Sequence, residues 1–209
     1  MISLDIGGCK VDILPFVNGL PSEAEKVKEA FGKYEAYGAA LSVEGIQAIE
    51  RRDEEETDDS IGELDLVYSK HMEKFGIAEV PSPALCMLAD LCRENGLKII
   101  PLDMNEEDFT ELYCDKVRTL DFVREHHHAK KGLKKQFDAE TPEELAIQWD
   151  GFVNEIRGYR EVSEAREKYI AAQIRDTAKY RKSLLALIEV ERCGGIAALL
   201  REDDVQKMS

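Results

Sequence analysis

Residues Ile2-Ser3-Leu4-Asp5-Ile6 alternate apolar and polar positions, the pattern of a strand with one buried face. Gly7-Gly8 follows as a turn. A second run from about Lys10 to Val17 carries Val11, Ile13 and Leu14, so the chain opens with a hairpin. Pro15 falls near the end of that strand, where a missing N–H is tolerated. The period then becomes helical. Ser22-Glu23-Ala24-Glu25 reads as a capping box, and Ala24, Val27, Ala30, Phe31 and Tyr34 make one apolar stripe. A short strand from about Gly38 to Val43 and a helix from Gly45 to Arg52 come next. This β-α-β order predicts parallel pairing of its two strands.

A helix over residues 61–75 carries Ile61, Leu64, Leu66, Val67 and Met72. Ser82 and Pro83 open another helix as cap and first-turn proline, and it runs from Ala84 to Asn95 with Gly96 as its terminator. Lys98 to Leu102 form a short strand that stops at Asp103, as strands do at the carboxyl edge of an α/β sheet. Asn105 caps a mostly helical stretch to about Gln136. Thr141-Pro142-Glu143-Glu144 opens a helix whose Leu145, Trp149, Phe152, Val153 and Ile156 keep helical spacing. Gly158 interrupts it, and another helix spans about Glu161 to Tyr180. Leu184 to Ile188 form an unbroken apolar run inside a strand from Ser183 to Val190, which predicts burial on both faces. Gly194-Gly195 reads as a turn into a short helix through Leu200, with a frayed tail from about 202. The expectation is a single α/β domain: a small, largely parallel or mixed sheet begun by the hairpin, flanked by long helices, with a helix-rich C-terminal half.

With 209 residues, 44% hydrophobic, the chain can bury a core. Its net charge of −15 repels nucleic acid and anionic lipid. No run approaches the ~18–20 apolar residues of a membrane span, and MISLDIGGCK lacks the basic flank and apolar run of a signal peptide. The five cysteines, Cys9, Cys86, Cys92, Cys114 and Cys193, include no C-x-x-C and read as reduced, mostly buried thiols. A soluble cytoplasmic protein is expected, with neither membrane nor nucleic acid as partner. The acidic run at 50–60 reads as a solvated helix end and loop, because the spacing and central glycine of an EF-hand are missing.

His126-His127-His128 stand together, but side chains about 100° apart on a helix do not converge on one ion. Around them Arg124, Lys130, Lys131, Lys134 and Lys135 form a basic island that either meets a polyanion or pairs with the acidic surface. No P-loop, Gly-x-Gly-x-x-Gly, Gly-x-Ser-x-Gly or His-Glu-x-x-His motif occurs.

Three segments, VDILPFVNGLPSEAEKV (11–27), SEAREKYIAAQI (163–174) and LLALIEVERCGGIAALL (184–200), resemble the TraB/PrgY/Tiki family, whose distant relatives include GumN-type proteins and erythromycin esterases. LCRENGLKIIPLD fits that family's central helix–strand–Asp, and Arg166, Tyr169, Ile170 and Ala171 fit its "ER-x-x-Y-[IM]-A" helix. The resemblance implies metal-assisted hydrolysis at two Gly-x-x-His motifs. Here the motif glycines fall on Pro15 and Glu189, and the histidines on Asn18 and Arg192. A family glutamate falls on Ser42, with Glu44 two residues on, and the glutamate of the "ER" pair is Ala165. Arginine has no acceptor for a metal, and asparagine offers only a carbonyl oxygen.

The polar residues expected at the carboxyl edge of the sheet are Asn18, Glu23, Glu44, Asp103, Arg166, Glu189, Glu191 and Arg192. Arg166 and Arg192 either clamp a carboxylate or phosphate, or pair with Glu44 and Glu189 in a structural network. The expected function is a binding or interaction module that lacks the family's hydrolytic centre and any cofactor. Its partner is a protein or a small anionic ligand. The competing expectation is a hydrolase whose divalent metal sits on Glu44, Asp103, Glu189 and Glu191. A homodimer packed through long helices such as 141–157 is a third.

Overall fold

The computed structural model describes residues 1–52 and 62–207. The acidic run expected at 50–60 lies almost wholly outside the described residues, as does Ile61. Strands β1 (Ile2–Ile6) and β2 (Cys9–Phe16) form the expected antiparallel hairpin, with Ile6 opposite Cys9 and Ile2 opposite Ile13. Pro15 lies past the last residue paired with β1, so no antiparallel partner calls for its absent N–H.

Three further strands, β3 (Ala36–Ala39), β4 (Ile99–Pro101) and β5 (Ser183–Glu189), complete a mixed sheet in the order β1-β2-β5-β3-β4. The strands flanking the first helix run in the same direction, as expected, but they are not neighbours. The last strand, β5, inserts between them and pairs parallel with both. Its alternation divides the core. Leu184, Ala186 and Ile188 face one side, and Leu185 and Leu187 face the other, all buried.

On the first side pack α8 (Arg157–Ala178) and α9 (Val190–Lys207), through Ile170, Ile174, Ile196 and Leu200. The second side is covered by α1 (Ser22–Ala30), α2 (Val43–Glu50) and α4 (Pro83–Glu94), through Val27, Ile46 and Leu88. Helices α3 (Glu63–Met72), α5 (Glu106–Lys116), α6 (Thr119–Gly132) and α7 (Pro142–Val153) make up the remainder. Tyr68, Phe137, Trp149 and Phe152 build a smaller aromatic core among α3, α6 and α7.

Several local expectations are corrected. Pro21, not Ser22, occupies the N-cap of α1, so no capping box forms there. Ser82 does precede α4, but its hydroxyl is buried without a partner and caps nothing. The third strand ends at Ala39, and Ser42 caps α2 by accepting from the Gly45 N–H at 2.9 Å. The stretch from Asn105 divides into two helices at Val117 and Arg118. Gly158 does not break a helix but lies in the first turn of α8. A Cβ there would stand 2.9 Å from the Lys116 carbonyl and 3.0 Å from the Val117 Cα, so glycine lets α8 close onto the α5–α6 corner. Gly194-Gly195 is not a turn: α9 begins directly after β5 and runs through both, and its backbone stays helical to Lys207. The caps Asn105 and Thr141 are as expected, accepting from Asp108 and Glu144.

Candidate functional site

The four parallel strands end at one edge, where Phe16 is in register with Glu189 and Ala39 with both Leu187 and Pro101. The residues just beyond those ends therefore gather in one crevice, the usual ligand position in such sheets. Three adjoining cavities form it.

The first, of ≈240 Å³, is lined by Ser42, Asp103, Glu106, Phe109, Arg166 and Glu189. Asp103 is buried, and one of its oxygens accepts from Arg166 Nε at 2.9 Å and from Nη2. Its other oxygen takes the Met104 N–H at 2.9 Å. The Arg166 guanidinium also lies over the Phe109 ring, 5.7 Å from its centre. Burial works against this cation, and Asp103, Glu189 and Glu191 more than offset it, so it remains charged. Glu189 keeps one buried oxygen without a hydrogen-bond partner. Glu44 adjoins this cavity. Its own N–H, against the effect of burial and with help from Ser42 and the Glu106 N–H, holds its carboxyl below the usual value.

A second cavity, of ≈160 Å³, continues past Phe109 and Arg166 to Asp150, Ser163 and Arg192. Arg192 Nη1 donates to the Ser163 hydroxyl at 2.8 Å, while its Nε is buried without a partner. Both arginines are thus held, but by Asp103 and Ser163 instead of the expected Glu44 and Glu189.

The third cavity, of ≈260 Å³, shares Asp150 and Val153 with the second and reaches Asn18, Asp65, Tyr68, Trp149 and Glu191. Burial, reinforced by the charges of Glu189 and Asp150, pushes the Glu191 carboxyl up to about 7 despite its own N–H and Arg192. Asp150 is raised too, by burial, with Arg192 and Asn154 opposing. Burial and the charge of Glu191 raise the Tyr68 phenol.

Seven of the eight expected residues therefore belong to the crevice or its margin. Glu23 does not. It is buried and accepts from Lys26 at 2.8 Å, and Lys26 also reaches Glu143 at 2.9 Å, so the group ties α1 to α7. Tyr68, Asp150 and Ser163 also line the crevice, beyond the eight residues expected from the sequence. Asp150 carried a usable signal: it lies between Trp149 and Val153 on a helix face that is otherwise apolar.

The histidines diverge as helical spacing predicts. His126 meets Glu63 at 2.8 Å, His127 the Val123 carbonyl at 2.7 Å, and His128 Glu155 at 3.3 Å. The basic island pairs locally, Arg124 with Asp121 and Lys131 with Glu155, while Lys135 lies over the Phe137 and Phe152 rings. Cys9, Cys92, Cys114 and Cys193 are free thiols, and of these only Cys114 is exposed. Among the described residues no helix is long and apolar enough to cross a membrane.

Compared with protein-family models, with curated proteins and with solved structures, the chain matches none.

Proposed function

We propose that this chain is a binding module, built on a TraB-like framework, whose ligand site is the crevice at the carboxyl edge of the sheet. One observation carries the reading: polar atoms of both signs, Glu189 Oε2 and Arg192 Nε, are buried there without partners beside cavities large enough for a small molecule. Buried polar groups left unpaired cost about 1–3 kcal/mol each. A ligand that pairs with them removes that cost.

The hydrolytic metal that the resemblance implies does not fit the residues present. Asn18 and Arg192 stand at the motif histidines, and Arg192 is a donor engaged with Ser163. Among the described residues no three His, Cys, Asp or Glu side chains gather as donors for an ion. The competing carboxylate centre is weakened by the same geometry: Asp103 is taken by Arg166, and Glu191 lines a different cavity from Glu189.

The test pairs elemental analysis of tag-free protein, purified without chelator, with assays on peptide and ester substrates. The expected outcome is no stoichiometric transition metal and no hydrolysis above background. Robust turnover that Arg166→Ala abolishes overturns the reading.

A further inference from the structure

The three cavities differ in charge. Arg166 lines the first and, with Arg192, the second. The third has carboxylates from Asp65, Asp150 and Glu191, the amide of Asn18 and the rings of Tyr68 and Trp149, and no lysine, arginine or histidine lines it among the described residues. Tyr68 and Trp149 are stacked at 5.8 Å between centres, which makes one wall an aromatic surface. Arg192 opposes the rise at both Asp150 and Glu191, but its Nη1 is turned to Ser163.

We infer that this third cavity is a site for a small organic cation, an alkylammonium group held between the carboxylates of Glu191 and Asp150 and the rings of Tyr68 and Trp149. The inference rests on the crevice being a ligand site. Three features of the cavity point to this chemistry. First, grouped carboxylates in a partly buried space repel one another, and a cation is the counter-charge that relieves them. Burial raises both carboxyls, and at Glu191 the charges of Glu189 and Asp150 add to it. Second, aromatic faces attract an ammonium through the ring quadrupole, most strongly where water is excluded. A hard metal ion gains nothing from such a wall, and among the described residues no three His, Cys, Asp or Glu side chains gather to hold one. Third, the volume of ≈260 Å³ admits a group of a few carbons.

Trp149 is the only tryptophan in the chain and forms part of the cavity wall, so its fluorescence reads this wall and the aromatic core behind it, and calorimetry reads binding itself. The experiment titrates the full chain with n-butylammonium at neutral pH and reads Trp149 emission, with calorimetry alongside. n-Butanol serves as the neutral isostere and succinate as an anion. Saturable binding of butylammonium is expected, together with weak or absent binding of butanol. Glu191→Gln is expected to reduce the affinity about tenfold or more, which is the loss of one charged contact of roughly 1.4 kcal/mol or more. That variant removes a buried charge and so is not expected to unfold the protein. Asp150→Asn gives a second reading of the same kind.

No response to butylammonium, equal binding of butanol, or unchanged affinity in both variants overturns the inference. Binding of succinate alone also overturns it, yet leaves the crevice as a ligand site. Turnover of peptides or esters is read separately and bears on the binding-module reading. A tetrapeptide with a central lysine distinguishes the source of the ammonium. Tighter binding than butylammonium places it on a partner's lysine side chain, and equal or weaker binding places it on a free amine; either supports the site.

Discussion

Asp12 and Glu191 both lie beside the central strands, and the protein treats their carboxyl groups in opposite ways. Burial alone raises Asp12, but Ser3, Tyr34 and Lys10 outweigh it and hold the carboxyl below its ordinary value. The Tyr34 hydroxyl donates at 2.5 Å, and Lys10 Nζ stands at 2.9 Å. At Glu191 burial, with the charges of Glu189 and Asp150, outweighs its own N–H and Arg192, and its carboxyl rises to about 7. The first carboxylate is an element of the fold that its donors stabilise. The second is a charge that folding disfavours, placed where the sheet opens to solvent. Strain of that kind collects at functional sites. The contrast separates the scaffold of this molecule from its site, and each substitution below presses on one side of it.

The largest effect is expected where scaffold and site meet. Asp103 has 5% of its side chain exposed and relies on Arg166. Arg166→Ala leaves that carboxylate buried without its cation, at a cost of about 3–5 kcal/mol. Chemical denaturation at neutral pH measures it. A loss under 1 kcal/mol would move the pair from scaffold to free site residue.

Glu191→Gln is expected to act in the other direction. The folded carboxyl titrates near 7, above its ordinary value of 4.5. Below about pH 4.5 both folded and unfolded chains hold the proton, and no penalty exists. As pH rises toward 7 the unfolded chain ionises first, so wild-type stability falls. Above 7 the folded state carries the full penalty, roughly 3 kcal/mol. The glutamine variant should therefore be the more stable protein at about pH 8, and the two should converge near pH 4.5. Thermal melts across that range test it, and a variant less stable at pH 8 would make Glu191 a scaffold residue like Asp12.

Asp12→Asn sharpens the comparison from the scaffold side. Its depressed carboxyl contributes stability above the ordinary value of 3.8, and that share is lost as pH falls through the folded value. Loss of the charged acceptor for Tyr34 is expected to cost about 1–2 kcal/mol at neutral pH and less in strong acid. The same melts at about pH 3 and pH 7 check it.

The scaffold was far more legible in the sequence than the site. Strand β5 announced itself because a run buried on both faces contains no polar residue, and Asn105 and Thr141 announced helix starts through side chains that act within three residues. Its insertion between β2 and β3 did not, since strand order depends on contacts between distant segments. Asp103 and Arg166 were both placed at the sheet edge, but not as partners, because their pairing spans 63 positions. Glu23 looked like an edge residue next to a strand end and is instead turned to Lys26. Helical periodicity gives a charged residue such as Asp150 to the solvent face, and a glycine pair such as Gly194-Gly195 signals a turn locally, although α9 runs through it.

That glycine pair permits the smallest and most discriminating test. Both residues lie inside α9, where alanine is ordinarily better than glycine by about 1 kcal/mol. A Cβ on Gly194 meets nothing within 4 Å, so Gly194→Ala is expected to stabilise by about that amount. A Cβ on Gly195 would overlap Glu167 Oε2. Glu167 is another acid raised by burial, with Asp150 and Glu164 adding to the effect and Arg192 opposing it. The carboxylate must move for the methyl group to enter, so Gly195→Ala should show no gain, or a small loss. In a Glu167→Ala background the obstruction is gone, and the same substitution should recover the full helical benefit. A gain of about 1 kcal/mol from Gly195→Ala in the wild-type chain would show Glu167 free to swing aside, and the packing of α8 on α9 looser at the site than in the core below it.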